Sequence, residues 1–198
     1  MQEVNEGRRR CCIGLASSVL SCIPSARADA APAPPGYTKG FVYTEKGRAP
    51  GLRTRVLAQG KEQRTWFLLF APGDELMSGL AQWAAEHHIA SAELSGWGNF
   101  VSALFGWYDV DKKAFANIAI DERTDITGLI GDIAAVEGVP QPHLHGSVAN
   151  REGTVRGGHL IEGKVGLEIE LFVTEYFVPL KKTYRPDVGL SLLDLSVD

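Results

Sequence analysis

Three of the chain's five histidines, His143, His145 and His159, fall within the run HLHGSVANREGTVRGGHLIEG. An H-x-H pair on a strand projects both imidazoles from one face, because successive side chains alternate. Between the pair and the third histidine, Asn150-Arg151-Glu152-Gly153-Thr154 reads as a hairpin whose loop is 151–153. Gly153 then takes the left-handed position of a bulge. Pairing Asn150 with Thr154 sets His159 directly opposite His145 and diagonal to His143. Opposed Cβ atoms stand ~5 Å apart, so three imidazoles can converge on one ion. Three neutral nitrogen ligands and an open fourth position describe a catalytic zinc site rather than a structural one. Imidazole also suits iron, nickel, copper and cobalt, so the expected cofactor is a divalent transition metal, zinc first. The competing readings make the three histidines ordinary polar strand residues, or have His143 and His145 merely bond to backbone.

A carboxylate near such an ion could orient a ligand or serve as general base. A turn at Glu162-Gly163 would face His159 with Gly166 and place Glu168 and Glu170 on the same side. These two are the catalytic candidates. Their alternative is solvent exposure on a strand whose other face, Leu167, Ile169 and Leu171, is core; a one-residue slip would remove any role. Asp132 and Asn99 are further candidates, marked only by their nearness to glycine turns. His87 and His88 fall where a helix should end and read as exposed residues at its negative pole.

The elements that must position these groups are mostly strands. Branched and aromatic runs mark Phe41–Tyr43, Thr54–Ala58, Thr65–Ala71, Ser91–Leu94, Val101–Tyr108, Ala114–Ile120, Ile126–Val136, His143–Ala149, Thr154–Ile161 and Val165–Val178. One long helix opens at Pro72-Gly73-Asp74-Glu75 and carries Leu76, Leu80, Trp83 and Ala84 on one face through Ala85. Many antiparallel strands with one long helix give an α+β class, as a single domain over residues 41–180. A C-terminal tail, 181–198, follows it.

The N-terminus is of another kind. Arg8-Arg9-Arg10, an apolar run from Cys11 to Ile23 and the small-residue site Ser25-Ala26-Arg27-Ala28-Asp29-Ala30 form a secretory signal peptide over 1–30. The apolar run is too short to span ~30 Å of hydrocarbon, so no transmembrane span is expected. The expected location is the periplasm. Val19-Leu20-Ser21-Cys22 resembles a lipobox, which offers a lipid anchor at Cys22 as the minority route, and Arg8-Arg9 leaves twin-arginine export open. All three cysteines leave with the signal, so the mature chain has no disulfide. Residues 31–40, rich in Pro and Ala, read as an extended spacer.

Composition bounds the partners. The 198 residues carry 20 basic and 24 acidic side chains, a net charge of -4, which becomes more negative once Arg8, Arg9, Arg10 and Arg27 are removed. Binding through nucleic-acid phosphates is therefore not expected, since that affinity comes from Lys and Arg. With 44 % hydrophobic residues the chain is not of the disordered class.

The pieces GDELMSGLAQWAAEHHIASAELSGWGN, ITGLIGDIA and HLHGSVANREGTVRGGHLIEGKVGLEIELFVTE, spanning Gly73 to Glu175, resemble the plants-and-prokaryotes-conserved (PPC) domain family. The resemblance implies an α+β fold that assembles as a homotrimer. It implies a metal site, commonly zinc, at the positions of His143, His145 and His159, as in prokaryotic members. The fold also resembles that of acetolactate decarboxylase, whose metal is held by an H-x-H pair and a later histidine. Plant members couple the domain to AT-hooks. Here the nearest segment, Lys46-Gly47-Arg48-Ala49-Pro50, lacks the Arg-Gly-Arg-Pro core, which again disfavours DNA. The implied partners are two further copies of this chain and a small-molecule ligand.

Overall fold

A computed structural model describes residues 32–40 and 48–196. The expected signal peptide over 1–30 and the expected strand Phe41–Tyr43 lie outside the described residues. In chain order the elements are β1 (Tyr37–Lys39), β2 (Arg53–Gln59), β3 (Gln63–Phe70), α1 (Leu76–Glu86), β4 (Ser91–Asp109), β5 (Ala114–Ile120), β6 (Thr124–Val136), β7 (Val139–Ala149), β8 (Val155–Tyr176), β9 (Lys181–Arg185) and β10 (Leu190–Leu193). The α+β reading holds: among the described residues one helix accompanies a sheet that is antiparallel except where β9 runs beside β6.

The expected long helix is only 11 residues. Its start is set by Glu75, which caps rather than enters the helix: its carboxylate accepts from the backbone N–H groups of Met77 and Ser78. Its end is set by His88, which turns the chain out of the helix at φ 56°. The first six residues of α1 are buried, and the helix packs against β7 and β8.

Strand order along the sheet is β1-β5-β4-β6-β7-β8-β3-β2, and β4 also pairs with β8. The run β4-β6-β7-β8 therefore closes on itself as a ring. Phe70, Leu80, Phe100, Phe105, Leu144 and Ile169 are among the fully buried side chains of the single core.

Two expected turns are absent because their glycines serve close packing. The strands drawn on either side of Gly96-Trp97-Gly98 are one strand, β4, irregular in register there. The turn placed at Glu162-Gly163 is also absent, and β8 runs unbroken for 22 residues. A Cβ on Gly163 would lie 2.4 Å from Cε1 of the buried Phe100, so this glycine makes room for a ring.

Two boundaries shift as well. Part of the expected spacer, Tyr37–Lys39, pairs with β5 as an edge strand. Most of the expected C-terminal tail forms the hairpin β9–β10, with Leu190 opposite Arg185 and Leu193 opposite Lys182. Its alternating residues give little strand signal because the turn between them, around Gly189 at φ 77°, follows Pro186 and Asp187 in a segment that reads as polar loop. From Pro32 onward the chain is one compact unit.

Candidate metal centre

The hairpin carrying the histidines has the register that its loop chemistry dictates. His145 pairs with His159, Gly146 with Gly158 and Ser147 with Gly157. Asn150 N–H donates to the Thr154 carbonyl at 3.1 Å, Gly153 N–H returns to the Asn150 carbonyl at 2.9 Å, and Gly153 has φ 78°. The ring centroids stand 5.1 Å apart for His143–His145, 5.1 Å for His143–His159 and 5.4 Å for His145–His159. One ring nitrogen from each residue lies within 4.8 Å of the other two.

Each imidazole is held by something specific. β6 and β7 meet at the two-residue turn Glu137-Gly138, whose positive φ values of 50° and 82° suit a tight hairpin. That register places Asp132 opposite His143. The Oδ2 atom of Asp132 lies 3.1 Å from His143 Nδ1, and its Oδ1 accepts from Lys182 Nζ at 2.6 Å. Burial alone would raise the Asp132 pKa, but hydrogen bonds from His143 and Lys182 outweigh it and hold the carboxyl below its usual range. An ionised carboxylate only accepts, so neutral His143 carries its proton on Nδ1 and keeps the Nε2 lone pair free. This is the carboxylate–histidine arrangement that orients metal ligands.

His159 is fixed differently. Phe115 of β5 stacks on its ring at 4.4 Å with planes 15° apart. Gly106 of β4 leaves the space for this, since a Cβ there would lie 2.6 Å from Cβ of Phe115. Burial first, then the neighbouring His143, His145 and Lys182, push the His159 pKa down to about 3. Burial and His143 also lower that of His145, against the opposing pull of Asp132. Both residues are thus neutral donors at ordinary pH. The buried Nδ1 of His159 has no hydrogen-bond partner among the described residues. Three converging imidazole nitrogens fit a bound cation.

A pocket of about 590 Å3 adjoins His143 and His145, walled by Ile130, Asp132, Phe172, Ser95 and Thr174. Glu93 also lines it and accepts from the Tyr176 hydroxyl at 2.8 Å. Trp97, half exposed, packs against Phe172 at 5.6 Å.

The glutamates expected to assist the ion are not among the residues lining that pocket. Without the turn at Glu162-Gly163, the pairing expected to bring Glu168 and Glu170 beside His159 does not form, and both continue along β8. Glu170 pairs with Trp97 of β4 and Leu69 of β3. Asn99 accepts from Leu167 N–H at 2.6 Å, a backbone tie between β4 and β8. His87 closes the helix, with Nδ1 2.9 Å from the Trp83 carbonyl and its ring against Trp66. Of the weaker candidates only Asp132 joins the histidines. Lys182 and Phe115 had no sequence signal, since both reach the site from strands distant in the chain.

No curated protein matches the sequence. A protein from Ralstonia eutropha JMP134 labelled DNA-binding is 32 % identical over 66 % of this chain and 90 % of that one, with a TM-score of 0.62. A plant- and prokaryote-conserved protein from Pyrococcus horikoshii is 27 % identical over 72 % of this chain and 94 % of its own, at 0.63. A metal-containing protein from Archaeoglobus fulgidus is 26 % identical, with coverages of 72 % and 97 % and a TM-score of 0.62. The Plants and Prokaryotes Conserved (PCC) domain matches residues 57–177, more than half of the chain, which therefore belongs to that family.

Proposed function

We propose that this protein holds one divalent transition metal, zinc first, on His143, His145 and His159, and acts there on a small carbonyl- or ester-bearing molecule. The convergence of one nitrogen from each imidazole within 4.8 Å carries the reading. The metal-containing relative from Archaeoglobus fulgidus supports it. A divalent metal on three imidazoles supplies an open coordination position and Lewis-acid polarisation, which suits lyase or hydrolase chemistry.

The chain's own residues do the rest. Asp132 sets the tautomer of His143, and Phe115 holds the plane of His159. Ile130 and Phe172 offer an apolar wall, while the hydroxyls of Ser95 and Thr174 offer polar contacts to the ligand. Glu93, a carboxylate of the pocket lining, takes the proton-transfer role.

A second reading is a non-catalytic ligand-binding module. It is favoured by the engagement of both pocket carboxylates, Asp132 with His143 and Lys182, and Glu93 with Tyr176. Turnover on a panel of oxo-acids and esters separates the two. The proposal extends to export into the periplasm, on residues 1–30, and to a homotrimer, on the family resemblance. The DNA-binding label of the Ralstonia relative finds little support in a net charge of -4.

Elemental mass spectrometry of protein purified without an affinity metal tests the centre. About one transition metal per chain is expected, lost in His145→Ala. Full occupancy in that variant would overturn the assignment.

A further inference from the structure

The three-histidine cluster is bordered by a piece of chain outside the matched family domain, which ends at residue 177. The first strand of the β9–β10 hairpin runs parallel to the end of β6, with Lys181 beside Ala135 and Lys182 beside Val136. Several contacts seat it. Ala135 N–H donates to the Leu180 carbonyl at 2.8 Å, Lys113 Nζ donates to the Pro186 carbonyl at 2.6 Å, and the Tyr108 hydroxyl donates to the Val188 carbonyl. Tyr108 also packs on Phe115, the ring that stacks on His159. The hairpin is thus tied to both sides of the cluster.

This seating leaves the Lys182 side chain 7 % exposed, with its ammonium on Asp132 Oδ1. A lysine so enclosed is stable as a cation only against a partner charge, and Asp132 is that partner. The pairing constrains the carboxylate in turn. Asp132 has one oxygen on Lys182 and the other on His143, so it can neither rotate toward the shared centre nor release the imidazole. Without Lys182, only the 3.1 Å contact to His143 fixes its orientation, and the carboxylate is free to compete for the open position.

We infer that Lys182 is a positioning residue of the metal centre: it pins Asp132, and through Asp132 it fixes the tautomer and ring orientation of His143. The inference rests on the metal reading above. It makes the C-terminal hairpin a working part of a site whose ligands all lie within the family domain.

Lys182→Met and Lys182→Arg in the full chain test it with two readouts. In metal-free protein near pH 8, where imidazoles are neutral, nitrogen–proton correlation spectra report the His143 tautomer. The wild type and the Arg variant should show the Nδ1–H form, and the Met variant a mixture. Zinc affinity, by competition with a chromophoric chelator, should fall about 10-fold or more in Met and be restored in Arg. If Met does not fold, Lys182→Gln keeps a neutral donor in the buried place and should show the same two changes. A wild-type tautomer together with zinc affinity unchanged in Met or Gln would overturn the inference, as would an Arg variant as weak as Met. Failure of the metal reading is recognised separately, by a wild type that takes up no zinc; the tautomer spectra still decide the role of Lys182.

Discussion

His159 joins two facts that pull in opposite directions: its half-buried ring stacks on Phe115, and one of its nitrogens is buried with no partner among the described residues. Without a cation in the cluster, the residue is a liability in acid. In the metal-free folded state it takes up a proton only near pH 3, against 6.5 for the ordinary imidazole of the unfolded chain. Between those values the unfolded state holds the extra proton, so stability falls as the pH is lowered from 6.5 toward 3 and is untouched by this residue above that window. Urea midpoints of metal-free protein at pH 7.5 and 5 should therefore separate in the wild type and draw together in His159→Gln; equal separation in both would place the proton elsewhere. The sequence made the three imidazoles legible because the Asn150–Thr154 loop alone fixes which residues oppose one another. Asp132 was legible by the same reasoning, since the two-residue turn Glu137-Gly138 puts it opposite His143, yet Pro140 and Pro142 masked the start of β7. Those prolines are tolerated because that half of β7 is paired on β6 alone. Lys182 could not be read at all, because nothing local says that β9 docks beside β6.

At the scale of elements, the absent turn at Glu162-Gly163 traces to a glycine that serves packing. Glycine in a strand run suggests a turn, and Glu162-Gly163-Lys164 was read as one. In a ring of strands as small as β4-β6-β7-β8, chains cross so closely that glycine instead marks contact. The Gly163 position lies against the Phe100 ring, and a Cβ at Gly131 would come within 2.1 Å of the His143 carbonyl oxygen. The two explanations predict different outcomes for Gly163→Ala. A turn glycine on the surface would tolerate alanine with little loss, whereas the new methyl here must displace a fully buried phenylalanine, an overpacking that costs about 1–3 kcal/mol. Thermal unfolding should show a fall of several degrees, and a melting temperature equal to wild type would contradict the packing role. Gly163 N–H also donates to Glu75 Oε1 at 3.0 Å, so the same displacement disturbs the cap of α1. Helix, cap and strand are in this way one mechanical unit, which is why so short a helix suffices.

For the whole molecule the question is what covers the outer face of that ring. Ile130 is 64 % exposed and Trp97 50 % exposed, on neighbouring strands beside the pocket that adjoins His143 and His145. Scattered apolar side chains on a surface need no explanation, but a tryptophan and an isoleucine flanking a candidate site mark a surface suited to association. The family resemblance implies that the associate is the chain itself, as a trimer, in which case the pocket is completed by neighbouring copies. Light scattering on the purified protein should then give a mass of about three chains, and Trp97→Asp, which would put a charge into such a contact, should lower it. Metal content measured on the same samples tells whether the cluster needs its neighbours. Retained metal in a dissociated variant would show that the hairpin, Asp132 and Phe115 hold the ligands unaided, as their intrachain contacts imply. A single-chain mass for the wild type would remove the trimer and leave the pocket open to solvent, a geometry suited to a larger or more loosely held ligand.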